Sequence, residues 1–415
     1  MSMSTPVTFS RPSPSAIRLP VLPPLALYVH LPWCVRKCPY CDFNSHEMRA
    51  GGAPVQRAQR TASVPSLDPE LERGYLAALL ADLEQTLPSV WGRRVHSVFF
   101  GGGTPSLFSP DSIDALLAGV RARLPLSADA EITLEANPGT FESARFRDFR
   151  AAGVNRLSIG IQSFNPRRLQ ALGRIHDERE AHRAVEIAHE QFDNFNLDVM
   201  YALPEQSLEE AGCDVAAALA ANAPHLSFYQ PTIEPNTAFA KFPPRVPDED
   251  LAAAIHERVE STLVDAGYAH YETSAYARPG RECRHNLNYW CFGDYLGIGA
   301  GAHAKISFAD RIVREARTRS PAEYMKRVSD GAHVVEHKEL PAADLPFEFM
   351  LNALRLEAGF DVALFTERAG LPILAAEKGL RAAEAKGLLT RDHLRIKPTP
   401  RGRRFLNDAL QCFLE

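Results

Sequence analysis

From Leu25 onward, short apolar runs alternate with segments of helical period, and this rhythm narrows the possible folds more than any other feature of the chain. It predicts parallel strands joined by crossover helices. The predicted strands are LALYVHL (25–31), VHSVFFGGG (95–103), EITLEANP (131–138), RLSIGIQS (156–163), FNLDVMYALP (195–204) and HLSFYQPTIE (225–234). Helices are expected near 71–86, 111–124, 141–152, 177–191 and 208–221, with Ser109 capping the second and Pro110 in its first turn. Six strand-helix units of this kind describe an α/β fold, a partial (β/α)6 barrel of the TIM type, whose ligand groups sit where strands end and loops begin. The aperiodic stretch 50–69 reads as a surface loop inserted before the first helix. The expected organisation is a flexible Pro-rich tail (1–24), the barrel (25–245), an extension (246–335) opened by a long helix at 248–266, and a C-terminal winged-helix-like α+β domain (336–415).

Composition bounds the function. A formal net charge of −5 over 415 residues argues against a protein that mainly binds nucleic acid. The run Lys397, Arg401, Arg403 and Arg404 in the C-terminal segment is the one feature favouring that rival, and such runs are usually solvated faces. Seven cysteines, an odd number, do not read as a secreted disulfide framework, so a reduced cytoplasm is the expected location. No apolar run approaches the roughly 18 residues of a membrane span, so membrane contact is expected to be transient at most. The tail has Ser, Thr, Pro and two arginines but no acid, a composition similar to a transit peptide; its prolines break the helix such a peptide needs.

Three cysteines fall within eight residues directly after the first strand: Cys34, Cys38 and Cys41, spaced C-x3-C-x2-C. Thiolates are ligands for zinc and for iron-sulfur clusters, but a closed zinc site wants four ligands and no second cysteine pair follows at zinc-finger distance. A 4Fe-4S cluster that only carries electrons also takes four; three leave one iron open. Purely structural or zinc-bound cysteines stand as the rival reading.

With its barrel pattern, this loop resembles the radical S-adenosylmethionine superfamily, in which the open iron is chelated by the amino and carboxylate groups of S-adenosylmethionine and the reduced cluster cleaves its C–S bond to give an adenosyl radical. The resemblance implies that Gly102, Gly103 and Thr104, in FFGGGTP, cradle the methionine amino group; a plain tight turn is the alternative. Glu135, Gln162, Arg174 and Asp198 lie at or just beyond successive strand ends, and four such groups suit a zwitterion carrying a ribose. Each could instead serve a structural hydrogen bond. Tyr28, six residues before Cys34, is a further contact candidate or a core tyrosine.

Along almost the whole chain, LYVHLPWCVRKCPYCDFNSH, GGGTPSL, EANPGT, GVNRLSIGIQSF, LGRIH, LPEQSLEE, TIEPNT, YETSAYA, HNLNYW and DYLGIGAGAH resemble the heme-chaperone family HemW, relatives of oxygen-independent coproporphyrinogen III oxidase. The oxidase family has a further cysteine two residues beyond the third ligand, where Phe43 stands here, and a longer N-terminal arm. Both departures favour the chaperone, which would bind heme and deliver it to apo-hemoproteins, expectedly respiratory, with an electron donor if the cluster cycles. Oxidative decarboxylation in porphyrin biosynthesis is the alternative. The resemblance points to HNLNYW for heme: His285 as axial ligand, Tyr289 and Trp290 as flat faces. A packed histidine is the rival; Cys283 and Cys291 are alternative ligands, and His303 could face the cofactor mouth.

Overall fold

In a computed structural model of the protein, the described residues are 17–50, 53–54, 66–140 and 143–414. Most of the predicted loop at 50–69 and of the tail at 1–24 lies outside them. The chain divides into two compact units, one comprising Pro24–Ile306 and Arg314–His337, the other Met1–Pro23, Ser307–Val313 and Lys338–Glu415.

The larger unit is built on strands β1 (Leu25–Leu31), β2 (Val95–Gly102), β3 (Leu126–Ala136), β4 (Arg156–Gln162), β5 (Phe195–Met200) and β6 (His225–Tyr229). They pair parallel in that order, as the alternation predicts. Helices cover parallel strands on their outer face, so both sides are buried and the strands read as continuous apolar runs. Every residue of β4 is buried. The helices joining them are α1 (Pro69–Val90), α2 (Pro110–Arg123), α3 (Ser143–Ala152), α4 (Pro166–Ala171), α5 (Glu178–Gln191) and α6 (Leu208–Ala220). Caps define their starts: Ser109 Oγ accepts the Ser112 N–H, and Asp177–Glu180 and Ser207–Glu210 form reciprocal capping boxes. Helix α1 continues past the expected end at Thr86 and takes Pro88 into its last turn, where only the bond to the Glu84 carbonyl is lost. Helix α4, capped by the Asn165 side chain, was not expected.

Beyond β6 come α7 (Glu249–Asp265), β7 (Ala269–Glu272), β8 (Ala275–Ala277), α8 (Arg284–Trp290), β9 (Asp294–Ile298), β10 (His303–Ser307), β11 (Ile312–Arg317) and β12 (Val334–Glu339). The sheet order is β7-β8-β6-β5-β4-β3-β2-β1-β9-β10-β11-β12. Strand β1 pairs with β9 rather than β6, so the six-stranded layer is not closed into a ring. A buried carboxylate anchors the β9–β10 turn. Asp82 of α1 accepts from Tyr324 Oη (2.8 Å) and the Gly299 N–H (3.1 Å) and bonds His333 Nε2 (2.8 Å). Burial opposes its ionisation, but His333, Arg317 and Tyr324 outweigh that and hold the carboxyl below its ordinary range. Beside it, Tyr75 donates to the His30 carbonyl (2.9 Å) and accepts the Ala300 N–H (2.8 Å).

The smaller unit has helices Leu345–Ala353, Val362–Ala369 and Glu377–Ala385, and the antiparallel strands Phe360–Asp361, Leu389–Arg391 and Arg395–Pro398, the winged-helix-like arrangement expected. Within its basic run, Arg403 is ion-paired with Glu357. One expectation is corrected. The expected loose tail at 1–24 is packed at its described end: Ile17 and Leu19 are buried and the Arg18 N–H donates to the Gly370 carbonyl at 2.9 Å. The physical reason is a fitted seat: Gly370 has φ 68°, and a Cβ there would come within 2.8 Å of Ile17 Cγ2.

Candidate functional site

The three-cysteine loop is closed at its base by a short parallel pairing of Trp33–Cys34 with His46–Glu47. Lys37 Nζ donates to the carbonyls of Phe43 (3.0 Å) and Ser45 (3.3 Å), and the Cys41 N–H to the Cys38 carbonyl (3.1 Å). Cys34, Cys38 and Cys41 all line one cavity of about 300 Å³ at the C-terminal ends of the strands. Two of the sulfurs are held by side chains from elsewhere: Thr104 Oγ1, just past β2, donates to Cys34 Sγ (3.5 Å), and Arg174 Nη1, in the α4–α5 connection rather than at the strand end expected, donates to Cys38 Sγ (3.6 Å). Burial pushes the Cys34 thiol up to about 11 and raises Cys41 as well; iron ligation would reverse both. Among the described residues no three His, Cys, Asp or Glu side chains stand at the separations a single metal ion needs.

The other expected cofactor residues meet in the same cavity: Gly102, Gly103, Thr104, Glu135, Gln162, Arg174 and Asp198 all line it. The glycines have a role not anticipated. A Cβ on Gly102, at φ 117°, would strike the His30 ring at 2.5 Å, and one on Gly103 the Trp33 carbonyl at 2.5 Å. Gly102 therefore leaves room for the His30 ring of β1 and Gly103 for the start of the cysteine loop, besides opening the cavity wall. The Gly102 N–H donates to Glu135 Oε2 at 3.1 Å. Burial, then the nearby Asp198, pushes the Glu135 carboxyl up to about 8; burial raises Asp198 too, although Ser158 and Asn196 donate to it. Arg174 also donates to the Gly160 carbonyl (2.7 Å) and to Asn137. Gln162 sits at φ 68° and accepts from Tyr229 Oη (2.7 Å).

These residues fit S-adenosylmethionine beside a cluster. Three thiols share one wall, a half-buried carboxyl with a single backbone donor faces the cavity, and a guanidinium lies against Cys38. Tyr40, Asn137, Ser158, Gly160 and Tyr229 also line the cavity and were missed. Asn137 and Tyr229 stand at strand ends but carry no signal in their residue type, and Ser158 and Gly160 lie within β4. Asn137 joins the two sides, donating to Thr104 Oγ1 (2.8 Å).

Two further cavities adjoin. One of about 260 Å³ is lined by residues of β1 to β6, among them Tyr28, Glu135, Arg156, Asp198 and His225, together with His285 and Tyr289 of α8. That both end strands and all four between contribute shows the sheet curling around a polar interior. The other, about 480 Å³, is lined by Tyr28, His30, Asp42, Phe43, Asn44, Gly102, Glu135, Tyr289, Tyr295, Gly301, His303 and Arg319. His285 is buried, with Nδ1 bonded to Ser97 Oγ (3.0 Å) and Nε2 to Tyr289 Oη (3.2 Å), and burial lowers its pKa to about 3. Trp290 lines none of these three cavities. Cys283 is buried with Sγ 3.5 Å from Glu131 Oε1. Tyr28 bonds His30 Nδ1 (3.0 Å) and lies on both of these adjoining cavities.

Residues 28–212 match the radical SAM superfamily, and residues 340–405 match the HemN C-terminal domain. The chain is 49% identical over 397 residues to the heme chaperone HemW of Escherichia coli, covering 95% of this chain and 99% of that one. It is 36% identical to the mitochondrial radical S-adenosyl methionine domain-containing protein 1 of Mus musculus, over 94% of this chain and 87% of that one. Its fold is that of the E. coli coproporphyrinogen III oxidase HemN, a radical SAM enzyme, with a TM-score of 0.77 at 24% identity, covering 94% of this chain and 90% of the oxidase. Near-complete coverage at this identity, with the predicted cysteine loop and strand-end residues gathered in one cavity, means that the chain belongs to the HemW family of heme chaperones within the radical SAM superfamily.

Proposed function

We propose that this chain binds heme and hands it to apo-hemoproteins, with Cys34, Cys38 and Cys41 holding a 4Fe-4S cluster and the strand-end residues holding S-adenosylmethionine. The observation that carries the reading is the full-length match to the E. coli heme chaperone. Phe43 supports it: 63% exposed, it lines the cysteine cavity at the position where the oxidase resemblance calls for another cysteine. Cytoplasmic location, respiratory recipients and an electron donor for the cluster belong to the same proposal, as does the division into barrel (25–245), extension (246–335) and C-terminal domain (336–415). Among the described residues no helix is long and apolar enough to cross a membrane.

When bound, cluster and cofactor would supply one-electron chemistry. The chain's own residues orient and exclude. Glu135 and Asp198 offer half-buried oxygens to an ammonium and to hydroxyls, Arg174 holds positive charge against Cys38, and Gly102 and Gly160 leave the wall bare. The HNLNYW segment enters the heme reading through Tyr289, on the wall of the 480 Å³ cavity; ligation by His285 requires that Tyr289 release its ring.

The test is anaerobic cluster reconstitution with coproporphyrinogen III and heme offered side by side. The proposal expects stable heme binding and transfer to an apo-hemoprotein, with no decarboxylation. Decarboxylation without retained heme would replace it with the oxidase reading.

A further inference from the structure

Resting on that reading, we infer that heme sits in the cavity bounded by Tyr28, Phe43, Tyr289 and Tyr295, with His303 as its axial ligand and Arg319 pairing with a propionate. An axial imidazole needs a ring nitrogen whose lone pair is free. His30 has none: Nδ1 is bonded to Tyr28 Oη and Nε2 to the Asn44 carbonyl, both at 3.0 Å. His285 likewise has both nitrogens engaged, by Ser97 and Tyr289. His303 lies on the cavity wall, is exposed, and makes no side-chain hydrogen bond among the described residues.

The surroundings suit a macrocycle. This is the largest of the three cavities, at about 480 Å³, and four aromatic rings face it. Arg319 is exposed on its edge and its guanidinium has no ion pair among the described residues, leaving the planar fork open for a carboxylate. Asp42, also on the wall, disfavours propionates on its own side and so orients them toward Arg319.

The glycine-rich turn explains why His303 stands there. A Cβ on Gly301, at φ 77°, would meet Asn44 Nδ2 at 2.4 Å, and one on Gly297 the His303 carbonyl at 1.9 Å. GIGAGAH therefore lets β10 begin directly against the cysteine loop. Phe43 and Gly102 line both this cavity and the cysteine cavity, so a ligand here would share a wall with the cluster.

The experiment titrates hemin into the cluster-reconstituted full chain and into His303→Ala, His285→Ala and Arg319→Gln, reading the Soret band, the iron spin state and retention. His303→Ala should lose the imidazole-ligated spectrum and regain it when free imidazole is added, a rescue that also shows the variant is folded. Arg319→Gln should keep the spectrum and weaken affinity roughly tenfold. A His303→Ala spectrum and affinity equal to those of the unaltered chain would overturn this inference and leave heme binding standing. Failure of the unaltered chain to bind hemin would overturn the functional reading itself, and this inference with it.

Discussion

Glu135 lines all three cavities, and its carboxyl is the most exposed to a conflict between stability and binding. Burial raises its pKa from 4.5 to about 8, with Asp198 adding to the effect. The folded chain thus binds that proton more tightly than the unfolded chain. The corresponding stability is fully present below about pH 4.5 and is lost as pH rises toward 8. Glu135→Gln should therefore equal the parent near pH 4.5 and exceed it at pH 8 by about 1–3 kcal/mol, while binding S-adenosylmethionine more weakly. Denaturant titrations of the cofactor-free chain at the two pH values check this; an unchanged difference would show that Glu135 is not held protonated. At this scale the cysteines were legible because one loop carries all three. Asn137 and Tyr229 were not, because an asparagine or tyrosine at a strand end gives no signal until its partners, Thr104 and Gln162, are known.

Asn44 ties three elements together. Its Nδ2 donates to the Ala300 carbonyl (2.9 Å) in the β9–β10 turn and to the Arg319 carbonyl (2.8 Å) beyond β11. Asn44→Ala should cost about 1–2 kcal/mol in unfolding free energy and shorten the lifetime of a reconstituted cluster. Iron release followed against time under chelator would sink the idea if both chains lost iron equally fast. The repeating strands and helices of the barrel were readable from period and caps, to within a few residues. Helix α8 was not, and the reason is tertiary. Cys283 offers its N-terminus no side-chain cap; the Glu131 carboxylate of β3 accepts from the N–H groups of Arg284 (3.2 Å) and His285 (3.1 Å) instead. A cap supplied from 153 residues away leaves no local mark.

Arg174 reaches Cys38 across 136 residues of sequence, and that reach exists only in the folded chain. Arg174→Ala removes donors to Cys38, Asn137 and Gly160 together. It should weaken S-adenosylmethionine binding by roughly ten- to a hundredfold without unfolding the protein, as equilibrium binding and circular dichroism would reveal. Unaltered affinity would remove Arg174 from the cofactor site. The sequence by itself determined the strand-helix alternation, the helix caps at Ser109, Asp177 and Ser207, and the three thiols on one loop, because each depends on neighbours a few positions apart. Only the tertiary structure decided that β9 pairs beside β1, that Gly102 makes room for His30 and Gly103 for the start of the cysteine loop, and that His285 is enclosed while His303 stands open. Those outcomes depend on which distant atoms compete for the same space and the same hydrogen bonds, and a period in the chain carries no record of that competition.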